Sequence, residues 1–66
     1  MKAAELRGLT NEELLNLLEE KKRTLMNLRF QNALGQLNDH SQISKTRKDI
    51  ARIKTILRER ELGVRR

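Results

Sequence analysis

The sequence contains no cysteine, no proline, no tryptophan and no tyrosine, and Phe30 is its single aromatic residue. Without cysteine it can form neither a disulfide nor a thiolate zinc site, and the single histidine, His40, argues against a histidine metal site or a catalytic triad. The absence of cysteine also fits a reducing compartment. A chain with no proline and three glycines favours long helices over a sheet.

Long hydrophobic runs are missing as well. No apolar run exceeds two residues, which predicts neither a membrane span nor a secretory signal peptide, and Met1 is interpreted as the ordinary start of a cytoplasmic protein. Sixty-six residues form at most one small domain with a thin core. Because there is also no glycine-rich phosphate loop and no nucleophile paired with a base, we expect no catalytic residues, no cofactor and no enzymatic activity.

Positive charge is abundant and unevenly distributed. Between Lys45 and Arg66 there are nine cations and three anions, whereas Met1 to Ser44 carries six of each and is neutral. The formal net charge of +6 therefore lies entirely in the last third of the chain. Such a concentration of positive charge indicates a polyanionic partner, with nucleic acid ahead of an acidic membrane surface.

Helix signals divide the chain into a short helix at about 2–7, a long helix at about 11–34, a turn at 35–39 and a long basic helix at about 40–62. Thr10 and Glu13 have the spacing of a capping box at the start of the first long helix. Gly35 suits the left-handed conformation that ends a helix, and Asp39 or Asn38 suits the cap of the next one. Together these segments form a single domain, residues 1–66.

Each long helix has one apolar stripe at helical spacing. The stripe of the first contains Leu14, Leu18, Leu25 and Leu28, with Leu17 at its edge, and that of the second contains Ile43, Ile50, Ile53 and Leu57. Two helices of similar length joined by a short turn pair antiparallel. The expected fold is therefore all-α, a long antiparallel two-helix hairpin preceded by a short N-terminal helix.

The register of this hairpin follows from the stripes. Leu14 and Leu18 should meet Leu57 and Ile53, while the two later leucines should meet Ile50 and Ile43. Lys21 falls inside the first stripe, and we expect its aliphatic stem to lie along the stripe with the ammonium in water.

The basic helix carries its cations outside the apolar stripe. Arg47, Lys54 and Arg58 lie just to one side of it, and Lys45, Lys48 and Arg52 lie nearly opposite. A solvated face is the ordinary explanation of a charged run. Here the charge is unbalanced and confined to one helix, which favours contacts with phosphates that weaken as salt is added.

Three other functions remain open for a basic helical hairpin. A small coiled-coil adaptor would dimerise through the apolar stripes, although Lys21 inside a stripe argues against it. An amphipathic helix on a membrane surface would normally carry aromatic anchors, which the basic helix lacks. A DNA-binding regulator would need the short angled turn of a helix-turn-helix, which is not indicated.

A second apolar patch points away from the stripe and contains Met26, Phe30, Leu34 and Leu37. One interpretation is that Leu6 and Leu9 of the short helix fold over part of it, which would cover Leu15 but not reach Phe30. The other is that the patch docks a neighbouring protein or an RNA surface.

The chain resembles the bacterial-type family of large-subunit ribosomal protein 29. The resemblance rests on KAAELR at 2–7, LTNEEL at 9–14, LRFQ at 28–31, GQL at 35–37 and, most specifically, RKDIARIKTILRE at 47–59. It covers nearly the whole chain in the same order. The chain departs from the family after the turn asparagine, where many members have proline and this sequence has Asp39 and His40.

The resemblance implies a function that composition does not reveal. It implies a structural protein of the large ribosomal subunit, monomeric within the ribosome, that binds large-subunit ribosomal RNA at the rim of the polypeptide exit tunnel. A neighbouring ribosomal protein would be its protein partner, at the place where nascent-chain factors dock. The RNA contacts implied by the resemblance are Arg29, Gln31, Gln36, Arg47, Lys48, Arg52, Lys54, Thr55, Arg58 and Arg60. From the residues alone, Arg29, Gln31 and Gln36 would simply be exposed.

Overall fold

The structure is a computed structural model that describes residues 2–63. It contains three helices, α1 (Ala3–Arg7), α2 (Asn11–Ala33) and α3 (Ser41–Leu62), and no strand within that range. The two long helices pack against each other and α1 packs on α3, in a molecule 43 Å long and 17 Å across. The predicted all-α fold, a short helix followed by a pair of long ones, is confirmed.

A capping box starts α2, as its sequence predicts. The backbone N–H of Glu13 donates to the Thr10 hydroxyl oxygen at 3.1 Å, and the Thr10 N–H donates to a Glu13 carboxylate oxygen at 2.8 Å. Two amides at the start of the helix are thereby satisfied. The acidic side chains of Glu12 and Glu13 also lie at the positive end of the helix dipole.

The end of α2 is a Schellman motif centred on Gly35. The Gln36 N–H donates to the Gln31 carbonyl oxygen at 2.8 Å, and the Gly35 N–H donates to the Asn32 carbonyl oxygen at 3.0 Å. Gly35 has φ of 73°, the left-handed conformation expected from its position. The helix itself ends at Ala33, so Leu34 is already its cap.

The backbone of Gly35 makes Gly35→Ala a destabilising change. A Cβ there would meet no atom within 4 Å, so the cost is conformational, roughly 1–2 kcal/mol for a left-handed alanine. The matched control is Gly8→Ala, because Gly8 has φ of −81° and its Cβ would lie 3.5 Å from the Glu5 carbonyl oxygen. Urea unfolding should show a loss for the first variant and no loss for the second. Equal midpoints would contradict the assigned motif.

Asp39 organises the start of α3. One of its carboxylate oxygens accepts bonds from the Ser41 N–H at 3.1 Å and the Ser41 hydroxyl at 2.6 Å. The helix begins at Ser41, and His40 at the cap position makes no side-chain capping bond. Of the two candidates named from the sequence, Asp39 therefore makes the bonds, one position further from the helix than a standard cap. They hold the pKa of Asp39 below its ordinary value of 3.8.

The lowered pKa predicts a pH dependence. A carboxyl whose pKa is lower in the folded chain stabilises the fold above its unfolded pKa, and this contribution is lost as pH falls through the folded pKa. The native chain should therefore have a higher urea midpoint than Asp39→Ala at neutral pH, and the difference should disappear below about pH 4. A gap that stays constant in acid would rule out a role for the ionised carboxylate.

The core lies at the end of the hairpin where α1 packs. Leu6, Leu14, Leu18, Ile53 and Ile56 form one buried cluster, with Leu9, Leu17, Ile50 and Leu57 against it. Leu14 and Leu18 thus share a core with Ile53 and Leu57, as the register predicts. Ile56 was not in the predicted stripe. It lies about 60° beyond Ile53 around the helix, on the side that α1 covers.

Leu6 packs into the core and does not cover Leu15. It is fully buried in the main cluster, whereas Leu15 is 52% exposed. The interpretation that Leu6 and Leu9 cover Leu15 is therefore wrong. Leu15 points about 100° away from Leu14 and out of the core.

The middle of the hairpin is polar. The Lys21 ammonium lies 3.5 Å from an Asp49 carboxylate oxygen, and Thr46, on the same helix as Asp49, is buried. The expectation for Lys21 placed its ammonium in water and did not include this ion pair with Asp49 on the facing helix. Leu28 is buried nearer the turn but lies outside the main cluster. The turn half of the hairpin consequently has far less apolar core than the half that carries α1.

Candidate nucleic-acid interface

The charge on the outward surface of α3 is mostly positive. Six of its cations are exposed: Lys45, Arg47, Lys48, Arg52, Lys54 and Arg58. Two of its three anions are turned toward the other helices, with Asp49 paired to Lys21 and Glu59 lying 3.6 Å from Arg7. Their side chains are only 18% and 26% exposed. A polyanion approaching α3 from outside would therefore meet positive charge with little negative charge beside it.

Arg47, Lys54 and Arg58 form the clearest group on this surface. They lie within an arc of about 40° beside the apolar stripe, spread along three turns of α3. None of them makes an ion pair or side-chain hydrogen bond with another residue in the described part of the chain. Their donors are therefore available for phosphate oxygens.

Lys48, Arg52 and Thr55 lie further round the same helix and are also exposed. Arg52 already takes part in an interaction within the chain. The Thr55 hydroxyl donates to the Ala51 carbonyl oxygen at 2.9 Å, which leaves its oxygen able to accept a bond from a ribose hydroxyl. Lys45, which the sequence reasoning did not include among the RNA contacts, is exposed one turn before Lys48. Its spacing from Lys48 and Arg52 was the signal available for including it.

Arg60 is set apart from these cations. It is half-buried, and its guanidinium donates to the Asn11 side-chain oxygen at 2.8 Å and to the Arg7 carbonyl oxygen at 2.9 Å. The structure thus places Arg60 against α1 and the start of α2, not with the outward cations of α3.

The three polar candidates near the turn are all exposed. The Schellman motif brings Gln31 and Gln36 together, since their backbones are joined by one hydrogen bond. Arg29 lies apart from them, in a shallow depression that it lines with Lys22, Leu25 and Met26. Lys22 therefore adds a second cation beside Arg29, one that the sequence reasoning did not single out.

The candidate docking patch is largely exposed. Met26, Phe30 and Leu34 are 70%, 65% and 55% exposed, and Leu37 is half-buried. The first three recur every four residues along the outside of α2 and its cap, in the turn half of the hairpin. No part of α1 covers them, because α1 packs at the other end on α3.

Other kinds of site are not indicated within residues 2–63. No group of acidic or histidine side chains there could hold a metal ion. Neither long helix has a stretch apolar enough to cross a bilayer.

Comparison with known proteins agrees with this arrangement. The model of the family described as Ribosomal L29 protein matches residues 4–60. The chain belongs to this family. The expectation that it is not an enzyme is thereby confirmed, since the family consists of ribosomal proteins.

Similar members of the Ribosomal L29 family come from several bacteria. A protein of Thermosipho melanesiensis is 94% identical over 66 residues, the whole of both chains. One from Thermotoga maritima is 73% identical over the same length, and one from Streptomyces griseus is 62% identical over 63 residues, 96% of this chain and 85% of the relative. Each bears the name large ribosomal subunit protein uL29.

Proposed function

We propose that this chain is a structural constituent of the large ribosomal subunit and that it binds large-subunit ribosomal RNA near the polypeptide exit tunnel. The observation that carries RNA binding is the outward surface of α3, where six cations are exposed while Asp49 and Glu59 are turned inward. The name borne by relatives up to 94% identical supports the large subunit. The exit tunnel rests on the family resemblance.

The mechanism is positional. The hairpin is already formed, so its arginines and lysines present donors to folded RNA without first ordering a long segment. They neutralise phosphates and release counterions, which stabilises closely spaced RNA segments. RNA held in this way is recognised by its shape and backbone more than by its base sequence. The RNA-facing residues are Arg29, Gln31, Gln36, Arg47, Lys48, Arg52, Lys54, Thr55 and Arg58.

The exposed patch of Met26, Phe30 and Leu34 is the proposed contact with a neighbouring ribosomal protein. Three apolar side chains on one side of a helix resemble the anchors of helix-in-groove recognition. Nascent-chain factors that reach the tunnel rim would meet the same end of the hairpin. The chain acts in the cytoplasm, bound to the ribosome.

The chain is proposed to be a monomer within the ribosome. A coiled-coil adaptor would need its apolar stripes free for a second copy, but Leu14, Leu18 and Ile53 are already buried within one chain. Sedimentation of the purified protein should therefore give a monomer. A dimer in the absence of RNA would favour the adaptor.

The experiment that tests the proposed function is migration in a sucrose gradient. A tagged chain expressed in a bacterium should travel in stoichiometric amounts with large subunits, and should resist a wash at moderate salt. Accumulation at the top of the gradient would overturn the ribosomal assignment. Co-migration with small subunits alone would overturn it equally.

A further inference from the structure

Arg60 lies where all three helices meet. One nitrogen of its guanidinium donates to Asn11, the first residue of α2, and the other donates to the carbonyl oxygen of Arg7, the last residue of α1. The helix that carries Arg60 is α3. One side chain thus joins segments that are 49 and 53 residues apart in sequence.

The bond to Arg7 satisfies a carbonyl group at the end of α1. A helix of five residues has carbonyl groups at its end without partners inside the helix, and a cation there also complements the helix dipole. The start of α1 has no side-chain cap. Besides the burial of Leu6, the bond from Arg60 therefore ties the end of α1 to α3.

A second contact runs in the opposite direction. The Arg7 guanidinium lies 3.6 Å from a Glu59 carboxylate oxygen, too long for a hydrogen bond, and both side chains are partly buried. α1 thus offers a cation to Glu59 and a carbonyl to Arg60, while α3 offers the complementary groups from adjacent residues. The shorter bonds are those of Arg60.

We propose that Arg60 is a positioning residue, a clasp that holds α1 on the end of α3, and that it does not contact RNA. Its two donors are directed at acceptors 2.8 and 2.9 Å away inside the chain. Arg58, two residues earlier, is exposed and has no such partners. Two arginines in the same turn of α3 therefore serve different purposes, one bonded within the protein and one exposed at its outer surface.

The first test measures stability and does not depend on RNA. Arg60→Ala should lower the thermal midpoint by roughly 5–10 °C, the scale expected for charge-assisted bonds in a domain of this size. Arg58→Ala, the matched control, should stay within about 3 °C. Asn11→Ala removes only one acceptor and should give an intermediate loss, so it retains a folded sample if Arg60→Ala unfolds. Equal midpoints for the two arginine variants would overturn the clasp.

A second test uses the planar geometry of the guanidinium. Arg60→Lys keeps the charge but replaces a planar fork by a single ammonium, so it should recover only part of the lost midpoint. Hydrogen exchange of the Arg60→Lys variant should show which part of the fold has lost protection. The amides of Leu6 and Leu9 should exchange at least tenfold faster, while the Gln36 amide in the turn stays unchanged. Full recovery by lysine, or equal acceleration at both ends, would contradict a local clasp.

The last arm rests on the proposed RNA binding and uses a large-subunit ribosomal RNA transcript as the probe. Arg58→Ala should reduce the slope of log affinity against log salt by roughly 0.7–0.9, the share of one phosphate contact. Arg60→Ala, which removes the charge, should leave that slope unchanged when it is measured below the thermal midpoint of the variant. A slope reduced equally by both would return Arg60 to the RNA surface. If no variant and no native chain binds, the proposed function fails while the stability arms still decide the clasp.

Discussion

Replacing Ile53 by alanine is expected to remove most of the stability of the free protein. Ile53 is fully buried at the centre of the cluster formed by all three helices. Truncating such a side chain costs about 2–5 kcal/mol, through lost burial and the cavity left behind. A core in a chain of this size rarely supplies more than about 3–5 kcal/mol. Circular dichroism at 25 °C should therefore show a large loss of helix in the purified variant.

Phe30→Ala is the control for this prediction. It deletes a larger apolar side chain than Ile53→Ala, but from a position that is 65% exposed. Its cost should be within about 0.5 kcal/mol of zero. If the two variants lost similar amounts of stability, the core would not be confined to the end of the hairpin that carries α1. Phe30 would then have to pack inside the protein.

The features that sequence reasoning foresaw are those with local causes. Thr10 and Glu13 are three residues apart and cap the same helix turn, so their spacing alone predicts their bonds. Gly35 is free of a Cβ at the point where the apolar pattern stops, and it takes the left-handed conformation. Both outcomes depend on only a few consecutive residues.

The features that it missed depend on packing between distant segments. Ile56 is buried because α1 covers that side of α3, and a short uncapped segment gave no signal of where it would dock. Thr46 lies on the same side of the helix as the apolar stripe, about 60° from Ile43. Because the stripe was defined by apolar residues, a threonine was not included in it. Lys21 and Asp49 could have been paired from the antiparallel register, since it sets them opposite each other.

Arg60 shows most clearly why the role of a charged side chain cannot be assigned from its residue type alone. It lies about 20° from Ile53 around the helix, so its position faces the protein interior. Reasoning from charge and family resemblance placed it at the RNA surface. Its hydrogen-bond acceptors, the Asn11 side chain and the Arg7 carbonyl group, lie on the other two helices, so only the folded structure reveals them. All the candidate RNA contacts remain predictions, to which the structure contributes the two internal bonds of Arg60 and the exposure of the other residues.

Removing Arg47, Lys54 and Arg58 together should produce the largest loss of RNA affinity. At about 1 kcal/mol for each phosphate contact, the triple alanine variant should bind a large-subunit ribosomal RNA transcript roughly 100-fold more weakly at moderate salt. The slope of log affinity against log salt should fall by roughly 2–3 units. Stability should change little, because these side chains make no ion pair or side-chain hydrogen bond within residues 2–63.

A control with the same change in net charge separates a defined surface from general attraction. The variant Lys2→Ala with Arg23→Glu also lowers the net charge by three units, but at exposed positions in the first half of the chain. If RNA is held on α3, this control should lose less than about one third of the slope lost by the first triple variant. Equal losses would mean that the RNA responds only to total charge, and the inward placement of Asp49 and Glu59 would then have no bearing on recognition.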